Sequence, residues 1–348
     1  MKILIATDAW HPQVNGVVRT LGHVAREARA HGADVEFLAP NEFWTLPLPS
    51  YPEIRLALPG LGDVERRLDK LKPDAIHIAT EGPLGHAMRR VCLRRSRPFT
   101  TSFHTRFPDY IAERLPMPKR WTCDMTWSWL RRFHGAGNAV LAATPTLADE
   151  LRARGFGNVK LWPRGVDANL FRPRPEATLD LPRPIFLTVG RLAVEKNVEA
   201  FLKLDLPGTK VMVGDGPARE NLARAYPDAV FLGAQYGDDL ARTYAAADVF
   251  VFPSRTDTFG LVLLEALASG VPVAAYPATA PRDVIGDAPV GCLDEDLRRA
   301  CLGALECSRA DCRNFALGMT WTASTRSFIA HVAKAAKETH GRSMHWAA

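Results

Sequence analysis

One stretch of the chain, residues 251–273, restricts the possible folds more than any other. It begins in an apolar run that predicts a strand, passes through a short polar loop, and becomes apolar and helix-forming over 261–268. Gly270 and Pro272 predict the end of that helix, and a further strand is predicted from Val271. Strand, loop, helix and strand in this order form the repeating unit of an α/β fold with a parallel sheet.

Two carboxylates stand in this stretch, Asp257 in the loop and Glu265 in the helix. A helix N-terminus presents unpaired N–H groups and the positive end of a dipole, which suit an anion such as a pyrophosphate. Glu265 lies among leucine and alanine residues. Because an unpaired buried charge is costly, a buried Glu265 needs a partner such as a pair of ribose hydroxyls. A surface helix on which Glu265 faces solvent fits the same spacing.

The rest of the chain alternates strands and helices in two series. The Pro-rich segment 171–184 separates the series and predicts a linker, whereas 41–60, also Pro-rich, predicts an irregular connection. The predicted strands are 2–7, 35–39, 76–78, 99–104, 140–144, 159–162, 185–189, 211–213, 230–232 and 249–252. The predicted helices are 17–29, 63–71, 85–95, 198–204, 239–246, 296–306 and 323–338.

This alternation predicts an α/β fold of two doubly wound Rossmann-like domains that face each other across a cleft. We place the first domain at 1–170, the linker at 171–184, the second domain at 185–320 and a C-terminal helical segment at 321–348. Neither series carries G-x-G-x-x-G after its first strand or the lysine motif of a P-loop. Dehydrogenase and ATPase functions are therefore disfavoured.

Composition narrows the class of protein. No apolar run approaches the ~20 residues that a membrane-spanning helix needs, and the chain opens directly with a strand, so we expect a cytoplasmic protein. The cysteines follow no zinc-binding spacing, which predicts reduced, structural thiols. A net charge of +6 suits phosphate-bearing ligands or anionic lipid. It also suits nucleic acid, but no nucleic-acid-binding motif is present.

Several polar residues and glycines follow the predicted strands, where parallel sheets bind ligands. Gly16 opens a helix, where its small size lets the backbone approach a phosphate, although a plain turn fits equally well. His104 ends a strand and is either a site residue or a structural histidine. Arg191 and Lys196 follow another strand and could clamp a diphosphate. The turn Gly214-Asp215-Gly216-Pro217 is a weak signal alone.

Residues 114–134, RLPMPKRWTCDMTWSWLRRFH, mix cationic residues with tryptophan. This composition suits a membrane interface, where aromatic rings lie at the level of the headgroups. A helix that packs in the core and exposes its charges is the alternative.

The chain resembles retaining nucleotide-sugar glycosyltransferases of the GT-B fold, in the family-4-like group that contains α-mannosyltransferases and glycolipid synthases. The resemblance covers nearly the whole length. It rests on Arg164-Gly165-Val166-Asp167 with Phe171, Gly190-Arg191-Leu192 with Glu195-Lys196-Asn197, Gly214-Asp215-Gly216-Pro217, Thr258-Phe259-Gly260-Leu261 with Leu264-Glu265-Ala266, and Ser269-Gly270-Val271-Pro272-Val273. It implies that the C-terminal helix packs back on the first domain.

The resemblance also implies residue roles. Arg191 and Lys196 would bind the diphosphate and stabilise the leaving group, and Glu265 would hold the ribose hydroxyls. Gly16 would offer its N–H to the phosphates, and His104 would contact the transferred sugar. The implied catalytic residues are His104, Arg191, Lys196 and Asp257. The implied nucleotide-sugar-binding residues are Gly16, Arg191, Lys196, Gly214, Thr258, Phe259, Gly260, Leu261 and Glu265. The family needs no cofactor and no metal.

One position departs from the family pattern. Asp257 stands where the family often has glutamate, and its shorter side chain could change how the sugar is held.

The run Ser254–Thr258 resembles the branch of glucosyl-, glucuronosyl- and sulfoquinovosyl-diacylglycerol synthases. It implies a UDP-sugar donor, UDP-glucose or UDP-glucuronate, and a lipid acceptor such as diacylglycerol. The first domain would dock on anionic lipid at the inner face of the cell membrane through Arg114, Lys119, Arg120, Trp127 and Arg131. A GDP-mannose-dependent mannosyltransferase, a nucleotide-sugar epimerase and a non-catalytic membrane-binding protein are the alternatives.

Overall fold

A computed structural model describes residues 1–13, 15–48, 51–104 and 119–338. The chain divides into two compact units. The first contains Met1–Pro163 and the described C-terminal segment from Thr322, and the second contains Arg164–Trp321.

The first unit is built on a six-stranded sheet in the order β2-β1-β5-β6-β7-β8, and every described strand pair in this sheet is parallel. The strands of the first unit are β1 (Lys2–Ala6), β2 (Asp34–Leu38), β3 (Thr45–Leu48), β4 (Tyr51–Ala57), β5 (Ala75–Ile78), β6 (Thr100–Phe103), β7 (Ala139–Ala142) and β8 (Val159–Leu161). Strands β3 and β4 lie outside the six-stranded sheet. Its first helices are α1 (Gly16–Ala28), α2 (Leu61–Leu71), α3 (Pro83–Arg94), α4 (Lys119–His134) and α5 (Pro145–Ala153).

The second unit has a six-stranded parallel sheet in the order β11-β10-β9-β12-β13-β14. Its strands are β9 (Ile185–Val189), β10 (Thr209–Val213), β11 (Val230–Gly233), β12 (Val249–Phe252), β13 (Val273–Ala275) and β14 (Gly291–Leu293). Its helices are α6 (Val198–Leu202), α7 (Arg219–Ala225), α8 (Gly237–Ala246), α9 (Leu261–Ala268), α10 (Thr279–Val284), α11 (Leu297–Ala304) and α12 (Arg309–Leu317). Helix α13 (Trp321–Lys337) begins at the last residue of this unit.

Strands such as β1, β7 and β12 are apolar and buried along most of their length, as in parallel sheets whose two faces are covered by helices. In the first unit, Phe328 and Val332 of α13 pack with Ile3, Ile5 and Leu141 of the sheet. The two doubly wound parallel sheets confirm the predicted fold class.

The predicted irregular connection over 41–60 is wrong in part. Strands β3 and β4 form a two-stranded antiparallel hairpin in which Leu46 pairs with Leu56 and Thr45 with Ala57. Pro47 lies within β3. A two-stranded sheet consists of edge strands, which tolerate proline, so the prolines there did not exclude strands.

The segment 171–184, which the sequence predicts as a linker, falls within the second unit. Phe171 is buried in the core of the second unit, and Arg313 donates hydrogen bonds to the carbonyl oxygens of Phe171 and Ala268 at 2.7 Å each. The described segment after Pro163 therefore packs with the second sheet from its start.

Within the described residues, no helix is both long enough and apolar enough to cross a membrane.

Candidate active site

The order of the second sheet places β9 beside β12, with the earlier strands on one side and the later strands on the other. This is the arrangement in which the connections after two neighbouring strands diverge and leave a crevice at their carboxyl ends. The segments at this point are 190–197 after β9 and 253–260 after β12. They carry most of the residues that the sequence predicts for the site.

Close backbone packing fixes the segment after β9. A Cβ atom at Gly214 would lie 1.9 Å from the carbonyl oxygen of Gly190, and one at Gly216 would lie 2.4 Å from that of Leu192. Gly214 has φ of 140°, where other residues are strained. The amide of Leu192 donates to the carbonyl of Asp215 at 2.9 Å. The glycine turn after β10 thus holds the backbone that carries Arg191.

We expect Gly214→Ala to lower the free energy of unfolding by about 2–4 kcal/mol, because the methyl group collides with rigid backbone and the φ is unfavourable. Urea unfolding measures this change. Gly22→Ala is the matched control, since a Cβ there meets nothing within 4 Å and alanine favours a helix. A Gly214→Ala protein that unfolds at the wild-type urea concentration would contradict this packing.

An ion pair joins the two segments of the site. Lys196 Nζ lies 2.5 Å from Asp257 Oδ1, and the side chains are 29% and 17% exposed. Asn197 adopts the left-handed region with φ of 51° and donates its side-chain amide to the carbonyl of Pro253 at 3.1 Å. This contact places Lys196 over the end of β12.

The second carboxylate oxygen of Asp257, Oδ2, is buried and accepts no hydrogen bond from the described part of the chain. A buried acceptor without a partner is costly. A ligand hydroxyl at this atom would remove that cost. Asp257 can therefore hold Lys196 with one oxygen and orient a bound hydroxyl with the other.

Glu265 is buried in the second unit. It is 3% exposed, and its Oε2 accepts a hydrogen bond from the hydroxyl of Tyr244 at 3.1 Å. The helix that carries it begins after Gly260, which has φ of 76°. These contacts exclude the alternative in which Glu265 faces solvent.

The other predicted nucleotide-sugar-binding residues near Gly260 are close to it in the chain. Thr258, Phe259 and Leu261 are partly buried on either side of Gly260. Phe259 packs against the core of the unit, so it supports the turn. Arg191 is also partly buried.

Gly16 and His104 belong to the first unit and are described there. Gly16 is the first residue of α1, and the side chain of Asn15 caps this helix by accepting from the amides of Val17 and Val18 at 3.0 Å each. His104 directly follows β6, and its ring makes an edge contact with Trp162 at a centroid distance of 6.0 Å. Their roles toward a donor remain predictions.

Asp8, which the sequence analysis missed, fixes the loop that leads to Gly16. Its carboxylate accepts from the amides of Leu84 and Gly85 at 2.8 and 3.2 Å and from the hydroxyl of Thr80 at 2.9 Å. Burial raises the pKa of the Asp8 carboxyl, although these hydrogen bonds oppose the rise. The loops after β1 and β5 are thereby joined at the point where the connections diverge in the first sheet.

The Trp-bearing segment needs one correction. Trp127 was predicted to dock on lipid, but it is 6% exposed and stacks on Phe103 at a centroid distance of 5.8 Å. Trp121, Met125 and Trp129 are large apolar residues that α4 exposes, at 68%, 67% and 40%. Arg120 and Arg131 are exposed as predicted, whereas Arg114 and the side chain of Lys119 lie outside the described residues. The rotation of the helix about its axis decides which tryptophan is buried and which is exposed, and the sequence alone did not reveal that rotation.

Burial raises the pKa of several cysteine thiols. All six cysteines are free, and burial raises the pKa of the Cys92, Cys301 and Cys312 thiols to about 12. In the described part of the chain, no group of three or more His, Cys, Asp or Glu side chains is placed to hold a metal ion.

Known families match both units. The family described as Glycosyltransferase Family 4 matches residues 14–170, and Glycosyl transferases group 1 matches residues 183–305. A GDP-mannose-dependent alpha-mannosyltransferase of Mycobacterium tuberculosis is 32% identical over 311 residues, which cover 82% of this chain and 81% of that protein. The chain belongs to the family-4 glycosyltransferases. It is therefore an enzyme of the hexosyltransferase class.

One further relative and one solved structure are similar to this glycosyltransferase. The sulfoquinovosyl transferase SQD2 of Arabidopsis thaliana is 33% identical over 270 residues, covering 71% of this chain and 52% of that protein. The solved structure of sucrose-phosphate synthase from Thermosynechococcus elongatus matches with a TM-score of 0.71 at 19% identity and covers 96% of this chain and 98% of that one. The structural match confirms the GT-B fold.

Proposed function

We propose that this glycosyltransferase moves a hexose or hexuronic acid from a nucleoside-diphosphate sugar to a lipid hydroxyl at the inner surface of the cell membrane, and that it retains the anomeric configuration. The observation that carries this proposal is the Lys196–Asp257 pair where the connections after β9 and β12 diverge, in a unit that also buries Glu265. A cation beside an oriented carboxylate suits a sugar diphosphate.

Each side chain has a chemical task. In the reaction, the bond from sugar C1 to a diphosphate oxygen breaks, and the diphosphate leaves with the electron pair. Lys196 and Arg191 stabilise the charge that grows on this leaving group. The acceptor oxygen bonds to C1 and passes its proton to the departing diphosphate oxygen. Asp257 Oδ2 accepts from a sugar hydroxyl, and Glu265 accepts from the ribose hydroxyls.

Two donors compete. The run Ser254–Thr258 resembles glucosyl- and glucuronosyl-diacylglycerol synthases, which favours UDP-glucose or UDP-glucuronate with diacylglycerol as the acceptor. GDP-mannose is the second candidate, because the mycobacterial relative that covers 82% of this chain is named as a GDP-mannose-dependent enzyme. Neither donor requires a metal ion for the roles given above.

A lipid acceptor requires contact with a membrane, and α4 offers a surface for it. Trp121, Met125 and Trp129 are spaced at four-residue intervals, so they share one side of the helix. Exposed basic side chains lie beside them on the same helix, namely Arg120, Arg131 and Arg132. Apolar anchors next to cations suit an anionic bilayer surface.

We expect Trp121→Ser/Trp129→Ser to weaken binding to anionic vesicles about 10- to 100-fold, since two inserted aromatic side chains are lost. Co-sedimentation at low salt measures the affinity. Leu317→Ser is the control, because Leu317 is an exposed apolar residue, 46% accessible, in the second unit. Equal binding by the double variant and the wild type would refute docking through α4.

The donor and acceptor are tested by mass spectrometry of products. Purified protein is mixed with diacylglycerol in anionic micelles and, separately, with UDP-glucose, UDP-glucuronate, UDP-galactose and GDP-mannose. A glycosyl-diacylglycerol formed from a UDP-sugar supports the first candidate, and one formed only from GDP-mannose supports the second. Donor hydrolysis without any lipid product would exclude the diacylglycerol acceptor.

A further inference from the structure

The β3–β4 hairpin has one face that is apolar along its described length. Leu46 is paired with Leu56, and the amide of Leu58 donates to the carbonyl of Trp44 at 2.8 Å, which continues the pairing. Directly paired residues share a face, and alternate residues of a strand do so too. Trp44, Leu46, Leu56 and Leu58 therefore form one surface, which we name the hairpin apolar face.

This face points to solvent, and of the opposite face Phe43 and Ala57 contact the core while Pro47 and Arg55 are exposed. Trp44 is 88% exposed, Leu46 57% and Leu58 55%, whereas Ala57 on the other face is fully buried in the core of the first unit. Large apolar side chains grouped in this way on a surface mark an interaction site.

A groove beside the face adds positive charge. Its volume is about 770 Å³, and Phe43, Trp44 and Leu58 line it together with Arg66, Arg67 and Lys70. Glu42 and Asp63 also line it and form ion pairs with Arg67 and Arg66. The described lining thus carries one more cation than carboxylates. A tryptophan and leucines next to such a groove match the boundary between acyl chains and anionic headgroups.

We propose that the hairpin apolar face inserts into the interfacial region of an anionic bilayer and that the groove receives a lipid phosphate at Arg66 and Lys70. This inference rests on the proposed membrane-surface function and adds a second point of contact, separate in sequence from α4. Two attached elements fix the orientation of the unit on the membrane, which one helix alone cannot do.

A second copy of the chain is a less suitable occupant. A symmetric dimer places the same patch of each copy against the other. The arginines and lysine of one groove would then approach those of its partner. Anionic headgroups instead complement these cations.

The test compares Trp44→Ser/Leu46→Ser and Lys70→Gln with the wild type in binding to vesicles of phosphatidylcholine and phosphatidylglycerol. We expect at least a tenfold loss of affinity for the apolar variant and a smaller loss for Lys70→Gln that disappears at high salt. Lys203→Gln, an exposed lysine of the second unit, is the charge control. Because Trp44 is largely exposed, unchanged thermal unfolding is expected.

A second readout uses brominated lipids, which quench tryptophan near the acyl chains. Vesicle-dependent quenching should fall in Trp44→Phe. Unchanged affinity and quenching in the hairpin variants, with a wild type that binds, would overturn the hairpin inference alone. A concentration-dependent dimer that these variants abolish would assign the face to a second copy instead. Lipid glycosylation in micelles by a wild type that binds no vesicles would also overturn the inference and leave the glycosyl transfer intact.

Discussion

Lys196→Ala is expected to lower kcat/KM for glycosyl transfer by about 10³-fold or more, equivalent to about 4 kcal/mol of transition-state stabilisation. In the proposed mechanism the ammonium group neutralises charge that develops on the departing diphosphate, and Arg191 supplies only one of the two cations that this task requires. Steady-state kinetics with the donor and acceptor from the product screen measure the loss. Lys203→Ala removes an exposed lysine from the same unit and should leave the rate unchanged.

The Lys196–Asp257 pair requires a further comparison. If Lys196 served only to neutralise Asp257, then Asp257→Asn would restore activity to Lys196→Ala. We expect no rescue, because in the proposed mechanism the lysine acts on the diphosphate and the carboxylate acts on the sugar. Recovery of wild-type kcat/KM in the double variant would contradict the assigned roles.

Glu265→Gln is expected to raise the KM for the donor about 10²-fold. The amide keeps the size of the side chain but loses charge-assisted hydrogen bonds to the ribose, and a site built for such hydroxyls discriminates strongly. Calorimetric binding of the donor gives the same quantity without turnover. Tyr244→Phe is the matched control, since it removes the hydroxyl that contacts Glu265 Oε2 at 3.1 Å but keeps the carboxylate, and less than a tenfold effect is expected.

A donor analogue that lacks the ribose 2′- and 3′-hydroxyls separates this role from a structural one. Wild type and Glu265→Gln should bind that analogue with equal affinity. If Glu265→Gln bound the intact donor as tightly as wild type and only lowered the thermal unfolding temperature, Glu265 would be a structural partner of Tyr244.

The fold was predictable where the sequence signal is local. Apolar runs such as Lys2–Ala6 and Val249–Phe252 lack alternation, as buried parallel strands do. The hairpin was missed because prolines mark both loops and edge strands. Trp127 was misassigned because only the rotation of α4 decides which tryptophan reaches Phe103.

The site was predictable only in part. Lys196 and Asp257 were predicted from their motifs as site residues, but their pairing accompanies a contact of Asn197 with the end of a strand distant in sequence. Tyr244 and Asp8 left no signal, since their roles arise from partners that the fold brings together. The left-handed backbone at Asn197 could have been suspected, because asparagine tolerates this conformation better than most residues.

We propose that this glycosyltransferase transfers a sugar from a nucleotide donor to a lipid acceptor. The most direct measurement follows nucleoside diphosphate release and glycolipid formation together in one reaction, with the product anomer assigned by NMR. We expect one diphosphate per glycolipid, dependence on the acceptor, and a product with the anomeric configuration of the donor. Sugar epimerisation without acceptor, or an inverted product, would contradict this proposal.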